Sequence, residues 1–157
     1  MKKQKSKFER PRRPWDKVRI EEERKLMQNY GLRRKKEIWR AESILRDYRR
    51  LARNLAASRD KEKEKILLDK LFSMGMISKD ASIDDVLGLK LENLLDRRFQ
   101  TVIFKKGIAK SLKQARQYIV HGHVAFEGRR IMWPSMLVPL GGEEKISLYE
   151  RSKIRQS

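Results

Sequence analysis

The chain has no cysteine, and this absence limits its chemistry. Disulfides and thiolate metal sites are therefore excluded, and only two histidines occur among the 157 residues. Acidic residues are also scarce, because 21 Asp and Glu stand against 40 Lys and Arg, a formal net charge of +19. Such an excess of positive charge favours a polyanionic partner. An anionic membrane surface is the broader alternative.

Long apolar runs are missing as well. No stretch is long enough to cross a bilayer, and the N-terminus lacks the apolar run of a secretory signal. We therefore expect a soluble cytoplasmic protein with no membrane partner. A mean hydropathy of −0.78 with 39% charged residues indicates that part of the chain orders only on its partner.

The positive charge is concentrated in two segments. Residues 1–40 hold 16 Lys and Arg against 6 Asp and Glu, and residues 97–132 hold 9 against 1. The segment between them, 41–96, holds 11 of each and is neutral. Two separate basic segments favour two contact surfaces over a general solubility charge.

Apolar periodicity predicts a mainly helical chain. We expect a disordered basic arm over 1–14, and helices over about 15–30, 34–58, 60–74, 82–88 and 91–107. Trp15 is expected to pack on Ile20 as a hydrophobic staple. A further helix capped by Ser111 ends at Gly122 and leads into short strands at 124–126, 130–132 and 145–149.

These elements predict an α+β protein of two parts. Residues 1–95 would form a basic arm and a helical domain, and residues 96–157 a small helix–helix–hairpin module with short strands and a short tail. Trp39, Tyr48, Phe99 and Phe104 fall on apolar stripes and are expected in the core.

No catalytic constellation assembles from the sequence. His121 and His123 flank a glycine, with Glu127 the one carboxylate within ten residues, which is a weak metal signal. Asp84 and Asp85 fit the acidic start of a helix better than a catalytic dyad. We expect a binding protein with no catalytic residue, no metal and no cofactor.

The basic face of the helix and hairpin over 111–130 suits nucleic acid. A helix-turn-helix could be drawn through 92–120, but its side chains are phosphate-type donors with few of the amides that read bases in DNA. Such a surface favours structured RNA, which proteins recognise through backbone and shape.

The same residues carry a family resemblance. Over roughly residues 92–150 the chain resembles the RNA-binding module of the small-subunit ribosomal protein S-four family, in RRFQT (97–101), KGIA (106–109), KQARQ (113–117), VHGHV (120–124), GRR (128–130) and PS (134–135). Upstream it is similar to the archaeal and eukaryotic branch of that family, in RPW (13–15), YGL (30–32), KEIWRAE (36–42), LDKL (68–71) and DDVLGL (84–89).

The resemblance implies a structural protein of the small ribosomal subunit. It would be a primary rRNA-binding protein that contacts the 5′ domain, nucleates assembly and influences translational accuracy. Its implied neighbours are the ribosomal protein S-five and mRNA near the entrance channel. The cysteine zinc cluster of some bacterial relatives is not carried over, because the chain has no cysteine.

Three alternatives stay open at this stage. The nearest is a related nucleolar-type ribosome-assembly protein, and the others are an RNA-modifying enzyme that carries the module and a DNA-compacting protein. For the ribosomal reading we predict an RNA surface made of Arg98, Lys105, Lys110, Lys113, Arg116, Gln117, His121, His123, Arg129 and Arg130.

Overall fold

In a computed structural model, residues 6–152 are described, and the first five residues of the arm and the last five of the tail lie outside this range. The helices of this part of the chain are α1 (Lys17–Asn29), α2 (Lys35–Ser58), α3 (Lys61–Ser73), α4 (Ile83–Gly88), α5 (Leu91–Asp96), α6 (Phe99–Lys105) and α7 (Leu112–Val120). Its strands are β1 (Val124–Phe126), β2 (Arg129–Arg130) and β3 (Ile146–Leu148). Within it, no helix is both long enough and apolar enough to span a membrane.

Helix α2 is the centre of the N-terminal half. Its buried residues recur at three-, four- and seven-residue steps, so they form one apolar stripe along 24 residues: Ile38, Ala41, Leu45, Ala52 and Leu55. Helices α1, α3, α4 and α5 all pack against it. Leu71, Val86 and Leu95 complete a first hydrophobic core, each with no exposed surface.

The helix starts follow from side-chain caps. Asp16 and Asp60 accept hydrogen bonds from backbone N–H groups in the first turns of α1 and α3. Ser82 and Asp85 form a capping box at α4. Ser111 accepts from the N–H of Gln114 at 3.2 Å, which fixes the start of α7 as the sequence predicted.

The second half packs α6 and α7 on a small antiparallel sheet of strand order β2-β1-β3. β1 pairs Ala125 with Arg130 on one side and with Ser147 on the other. A second hydrophobic core, separate from the first, has Phe99, Ile119 and Val138 at its centre. The α+β class, with a helical first part and a helix–helix–hairpin module, is confirmed.

Several local predictions were wrong. Trp15 is 89% exposed and forms no staple, and Phe104 is 40% exposed instead of in the core. The helix expected over 91–107 is broken between α5 and α6, because Arg98 has an extended backbone there. The disorder expected of the arm over 1–14 stays a prediction, since residues 1–5 lie outside the described range, while the Phe8 ring lies 6.0 Å from that of Trp39 in α2.

Candidate nucleic-acid interface

Exposed cations line the outer side of α7 and the loop before it. The inner side of the helix is fixed in the core by Ala115 and Ile119, both fully buried. Lys113 and Gln117, one turn apart, therefore point away from the core and are exposed. Lys110 is exposed in the preceding loop, and its backbone N–H donates to Oε1 of Gln114 at 2.7 Å.

The hairpin adds two arginines beside the end of this helix. Glu127 and Gly128 both have positive φ, 52° and 76°, as the turn between β1 and β2 requires. Arg129 and Arg130 follow the turn and are exposed. The guanidinium of Arg130 lies over Gly122 and reaches the carbonyl oxygen of His121 at 3.5 Å.

We call this the α7–hairpin surface, and its members are Lys110, Lys113, Gln117, His121, Arg129 and Arg130. Among residues 6–152 the side chains of Lys110, Lys113 and Arg129 have no hydrogen bond or ion pair. Their charge is therefore available to a partner. Six of the ten residues predicted from the sequence lie together here.

His123 lies at the edge of this surface and is half-buried. Its Nδ1 is 3.1 Å from Oγ of Ser152, and its ring meets that of Tyr118 edge-on at 6.2 Å. Tyr118 in turn accepts a hydrogen bond from Nε2 of Gln114 at 2.7 Å. These contacts make both rings part of the module's own packing. In the described range, no group of three or more His, Asp and Glu side chains is arranged to hold a metal ion.

Two predicted surface residues point inward instead. Nη2 of Arg98 is 2.6 Å from Oε2 of Glu37, and Arg98 is only 5% exposed. Nη1 and Nη2 of Arg116 donate to the two oxygens of the same carboxylate, at 3.1 and 3.0 Å. Glu37 belongs to α2, so both arginines join the second module to the first. Arg98 was expected on the open surface. It is buried instead, which is possible because its charge is paired with this carboxylate.

The environment of this cluster shifts two pKa values. Burial of the Glu37 carboxyl works to raise its pKa, but the hydrogen bond and charge of Arg116 and the charge of Arg98 outweigh it. The pKa of Glu37 is therefore held below its ordinary value, and the carboxylate is charged at neutral pH. Burial lowers the pKa of Arg98, and the charge of Glu37 opposes that shift.

Gln100 strengthens the same junction. It is fully buried, and its Nε2 donates to the carbonyl oxygens of Gly31 and Leu112 at 3.1 and 2.9 Å. One carbonyl belongs to the loop after α1 and the other to α7. The amide therefore ties α6 to both halves of the chain.

Lys105 lies on a different part of the molecule. It is exposed, pairs with Asp96 at 3.1 Å, and lines a groove of about 790 Å³ that also includes Glu143 and Glu144. The neighbouring Lys106 is structural, since its Nζ donates to the carbonyl oxygens of Glu143 and Ile146 at 2.8 and 2.7 Å. This groove carries both signs of charge, unlike the α7–hairpin surface.

A second groove, which is basic, was not predicted from the sequence. Its volume is about 470 Å³, and its cationic lining residues are Arg34, Lys36, Arg40, Arg98 and Arg116. We call it the inter-module groove, because α2 supplies one wall and the second module the other. The cations on both sides of Glu37, at 33–36 and at 40, were a visible signal. No signal in the sequence showed that these cations would lie close to Arg98 and Arg116.

Comparisons with known proteins agree with this arrangement. The family described as "Ribosomal protein S4/S9 N-terminal domain" matches residues 2–96, and the family described as "S4 domain" matches residues 97–144. The chain belongs to the ribosomal protein S4 family. It is similar over almost its whole length to proteins named "Small ribosomal subunit protein uS4" from archaea.

Three archaeal members of the ribosomal protein S4 family illustrate the similarity. The relative from Sulfurisphaera tokodaii is 46% identical, in an alignment that covers 99% of this chain and 90% of the relative. The relative from Ignicoccus hospitalis is 49% identical, with 92% and 89% covered. The relative from Korarchaeum cryptofilum is 46% identical, with 93% and 89% covered. The family resemblance inferred from the motifs is thereby confirmed.

Proposed function

We propose that this protein is a structural constituent of the small ribosomal subunit that binds rRNA, and that it acts by binding and not by catalysis. The observation that carries the proposal is the α7–hairpin surface, where rigid elements hold several exposed cations that have no acidic partner in the described part of the chain. Lys and Arg in such a setting neutralise phosphates and release condensed counterions. Family membership and the names of the archaeal relatives support the same function. The place of action would be the ribosome in the cytoplasm.

The division of labour follows the two hydrophobic cores. We propose a helical domain with its basic arm over 1–95 and an RNA-binding module over 96–157. Support comes from the two separate core clusters and from the two family matches, which meet between residues 96 and 97. The arm would neutralise phosphates that neither module reaches.

The RNA contacts are proposed in three groups. The α7–hairpin surface is the principal one, with His123 at its edge. Arg98 and Arg116 would act from the inter-module groove, where Glu37 fixes the direction of their guanidinium groups. Lys105 would be a separate contact, since it shares neither surface.

The finer assignment comes from the resemblance. We propose contact with the 5′ domain of the rRNA, an early role in subunit assembly, and an influence on translational accuracy from a position beside S-five and the mRNA entrance channel. A basic protein that neutralises several rRNA segments at once can hold them together before other proteins bind. That is the physical reason for an early role.

Chemical footprinting on full-length small-subunit rRNA tests the proposal. The purified chain is added at moderate salt with competitor transfer RNA. Discrete protection in the 5′ domain supports a specific rRNA-binding protein. Diffuse protection that the competitor removes contradicts it and indicates a general polyanion binder.

Sedimentation of cell extracts tests the ribosomal part. A constituent of the subunit stays with mature small subunits after a high-salt wash. A nucleolar-type assembly protein would be found only with precursor particles, which would contradict the structural assignment.

A further inference from the structure

We propose that the inter-module groove is a phosphate-binding site of its own, which in the assembled particle holds a backbone phosphate of RNA against both modules at once. The inference rests on the proposed rRNA binding for the source of the phosphate. The anion site itself rests on the groove.

The charge of the groove is strongly unbalanced. Its lining within the described residues holds five cationic side chains, from Arg34, Lys36, Arg40, Arg98 and Arg116, and a single carboxylate, Glu37. Like charges this close raise the free energy of the empty groove. An anion bound among them removes part of that repulsion.

Glu37 uses only part of the hydrogen-bonding capacity of its two arginines. A guanidinium has five N–H donors in a fixed fork. Arg98 gives Glu37 one hydrogen bond from Nη2, and Arg116 gives it one each from Nη1 and Nη2. Arg116 also donates from Nη1 to Gln100 at 3.4 Å. The remaining donors of Arg116, which is about a quarter exposed, can bind an anion in the groove.

Arg98 provides a second and independent indication. Only 5% of its surface is exposed, and its Nε has no hydrogen-bond partner within the described chain. A buried donor left without a partner is costly, and proteins seldom keep one without a reason. Because the single charge of Glu37 is shared between Arg98 and Arg116, it compensates the charge of Arg98 only in part, and Arg98 adds a positive potential to this wall of the groove.

The first turn of α2 faces the same groove. Lys36 and Glu37 belong to this turn, and α2 is 24 residues long in all. The N–H of Glu37 donates to the carbonyl oxygen of Arg34 at 3.0 Å, but the N–H groups of Lys35 and Lys36 have no partner inside the helix, and the helix dipole is positive at this end. This end adds to the attraction that the five side chains provide for a phosphate.

Phe8 closes one rim of the groove and is held by cation–π and ring contacts. Nζ of Lys36 lies 5.9 Å from the centre of its ring, and Trp39 lies behind it. An apolar rim lowers the local dielectric constant, which strengthens the attraction between the cations and a bound phosphate. Trp39 is also a fluorescent residue close to the site.

The first experiment measures the anion site without RNA. Thermal unfolding of the full chain is followed with inorganic phosphate at constant ionic strength, set with chloride. We expect a saturable rise of the melting temperature in the wild-type protein, since a ligand that binds only the folded state stabilises it. In the double variant Lys36→Gln/Arg40→Gln the phosphate dissociation constant should rise by roughly tenfold or more, the loss of two charged hydrogen-bond donors.

A charge-matched control makes this result specific. Arg50→Gln/Lys63→Gln also removes two positive charges, from exposed residues outside the groove that pair with Asp47 and Asp60. This control should keep the phosphate dissociation constant within about twofold of wild type. Equal weakening in the groove variant and the control would overturn the groove as a specific site.

The second experiment identifies the source of the phosphate. Affinity for a 5′-domain rRNA fragment is measured against salt, and the slope of log K against log salt counts the neutralised phosphates. The groove variant should lower that slope by roughly one to two units, and Arg50→Gln/Lys63→Gln should leave it unchanged. An unchanged slope in the groove variant, with phosphate stabilisation retained by wild type, would overturn RNA as the occupant in favour of free phosphate. Absence of any specific rRNA binding, with phosphate stabilisation intact, would reject the proposed function and leave the anion site standing.

Discussion

A Cβ atom on Gly122 would lie 2.0 Å from Nε of Arg130, so the guanidinium of this arginine occupies the space where any other residue would have its side chain. Gly122 follows α7 with a φ of +72°, and Arg130 belongs to β2. The contact packs the hairpin on the end of the helix. It also fixes where one cation of the α7–hairpin surface lies.

Replacing Gly122 by alanine should therefore disturb both stability and RNA binding. The positive φ alone costs about 1 kcal/mol for a residue with a Cβ. The clash also displaces the guanidinium of Arg130, which is the end of an exposed, flexible side chain and can move at little cost, so the stability loss should stay near that figure while RNA affinity falls. Chemical denaturation and rRNA binding of the purified variant measure the two effects.

Gly128→Ala is the matched control for this variant. Gly128 has a φ of +76°, but a Cβ there would have nothing within 4 Å. It should lose only the backbone contribution of about 1 kcal/mol and keep its RNA affinity. Equal RNA affinities of the two variants would mean that the position of Arg130 does not depend on Gly122.

Local sequence signals predicted most of the fold. The apolar stripe of α2 is visible as a period in the sequence, and Ser111 with Gln114 announces the start of α7. Such features depend on residues within a few positions of one another. Periodicity, capping and turn chemistry therefore located the elements within a few residues.

The candidate site was predicted less completely, for a physical reason. The sequence shows which residues are cationic, but not which cation a distant carboxylate will attract. Glu37 and Arg98 are 61 positions apart, and Glu37 and Arg116 are 79 positions apart. Their meeting depends on how the two modules pack, as does the inter-module groove. The hydrophobic staple predicted for Trp15 was wrong for a similar reason, because a staple needs a particular path of the chain before α1.

The Glu37 carboxylate should contribute strongly to stability. In Glu37→Gln the buried Arg98 loses the one charged partner that it has among residues 6–152, and removing one member of such a pair costs about 3 kcal/mol. Urea denaturation at neutral pH should show this loss. Glu62→Gln is the control, because Glu62 is exposed on α3, and it should change little.

The lowered pKa of Glu37 predicts that the contribution of this carboxylate to stability depends on pH. The pKa of Glu37 is lower in the folded protein than in the unfolded chain, since Arg116 and Arg98 outweigh the effect of burial. Its stabilisation is therefore complete above the unfolded-state pKa of about 4.3 and is lost as the pH falls through the lower folded-state pKa. The difference between wild type and Glu37→Gln should shrink as the pH is lowered from 5 toward about 3. A difference that stays constant over this range would contradict the lowered pKa.

Neighbouring lysines at 105 and 106 should separate a structural role from a binding role. Lys106→Met loses hydrogen bonds to the carbonyl oxygens of Glu143 and Ile146, at a cost of about 2 kcal/mol. Lys105→Met loses an exposed ion pair with Asp96, worth roughly 0.5 kcal/mol or less. If Lys105 contacts RNA, its variant should weaken rRNA binding without destabilising the fold. Equal melting temperatures for the two variants would refute the structural role of Lys106.

The salt dependence of rRNA binding should count the phosphate contacts of the α7–hairpin surface. Lys113 is exposed on α7 and has no side-chain partner in the described residues, so a phosphate can take its full charge. Lys113→Gln should lower the slope of log K against log salt by roughly 0.7–0.9, the value for one phosphate contact. Lys63→Gln, on the mixed-charge face of α3 where Lys63 pairs with Asp60, should leave the slope unchanged. Because the two variants have the same net charge, a parallel loss in both would assign the attraction to total charge, and a loss confined to Lys113→Gln places RNA on α7.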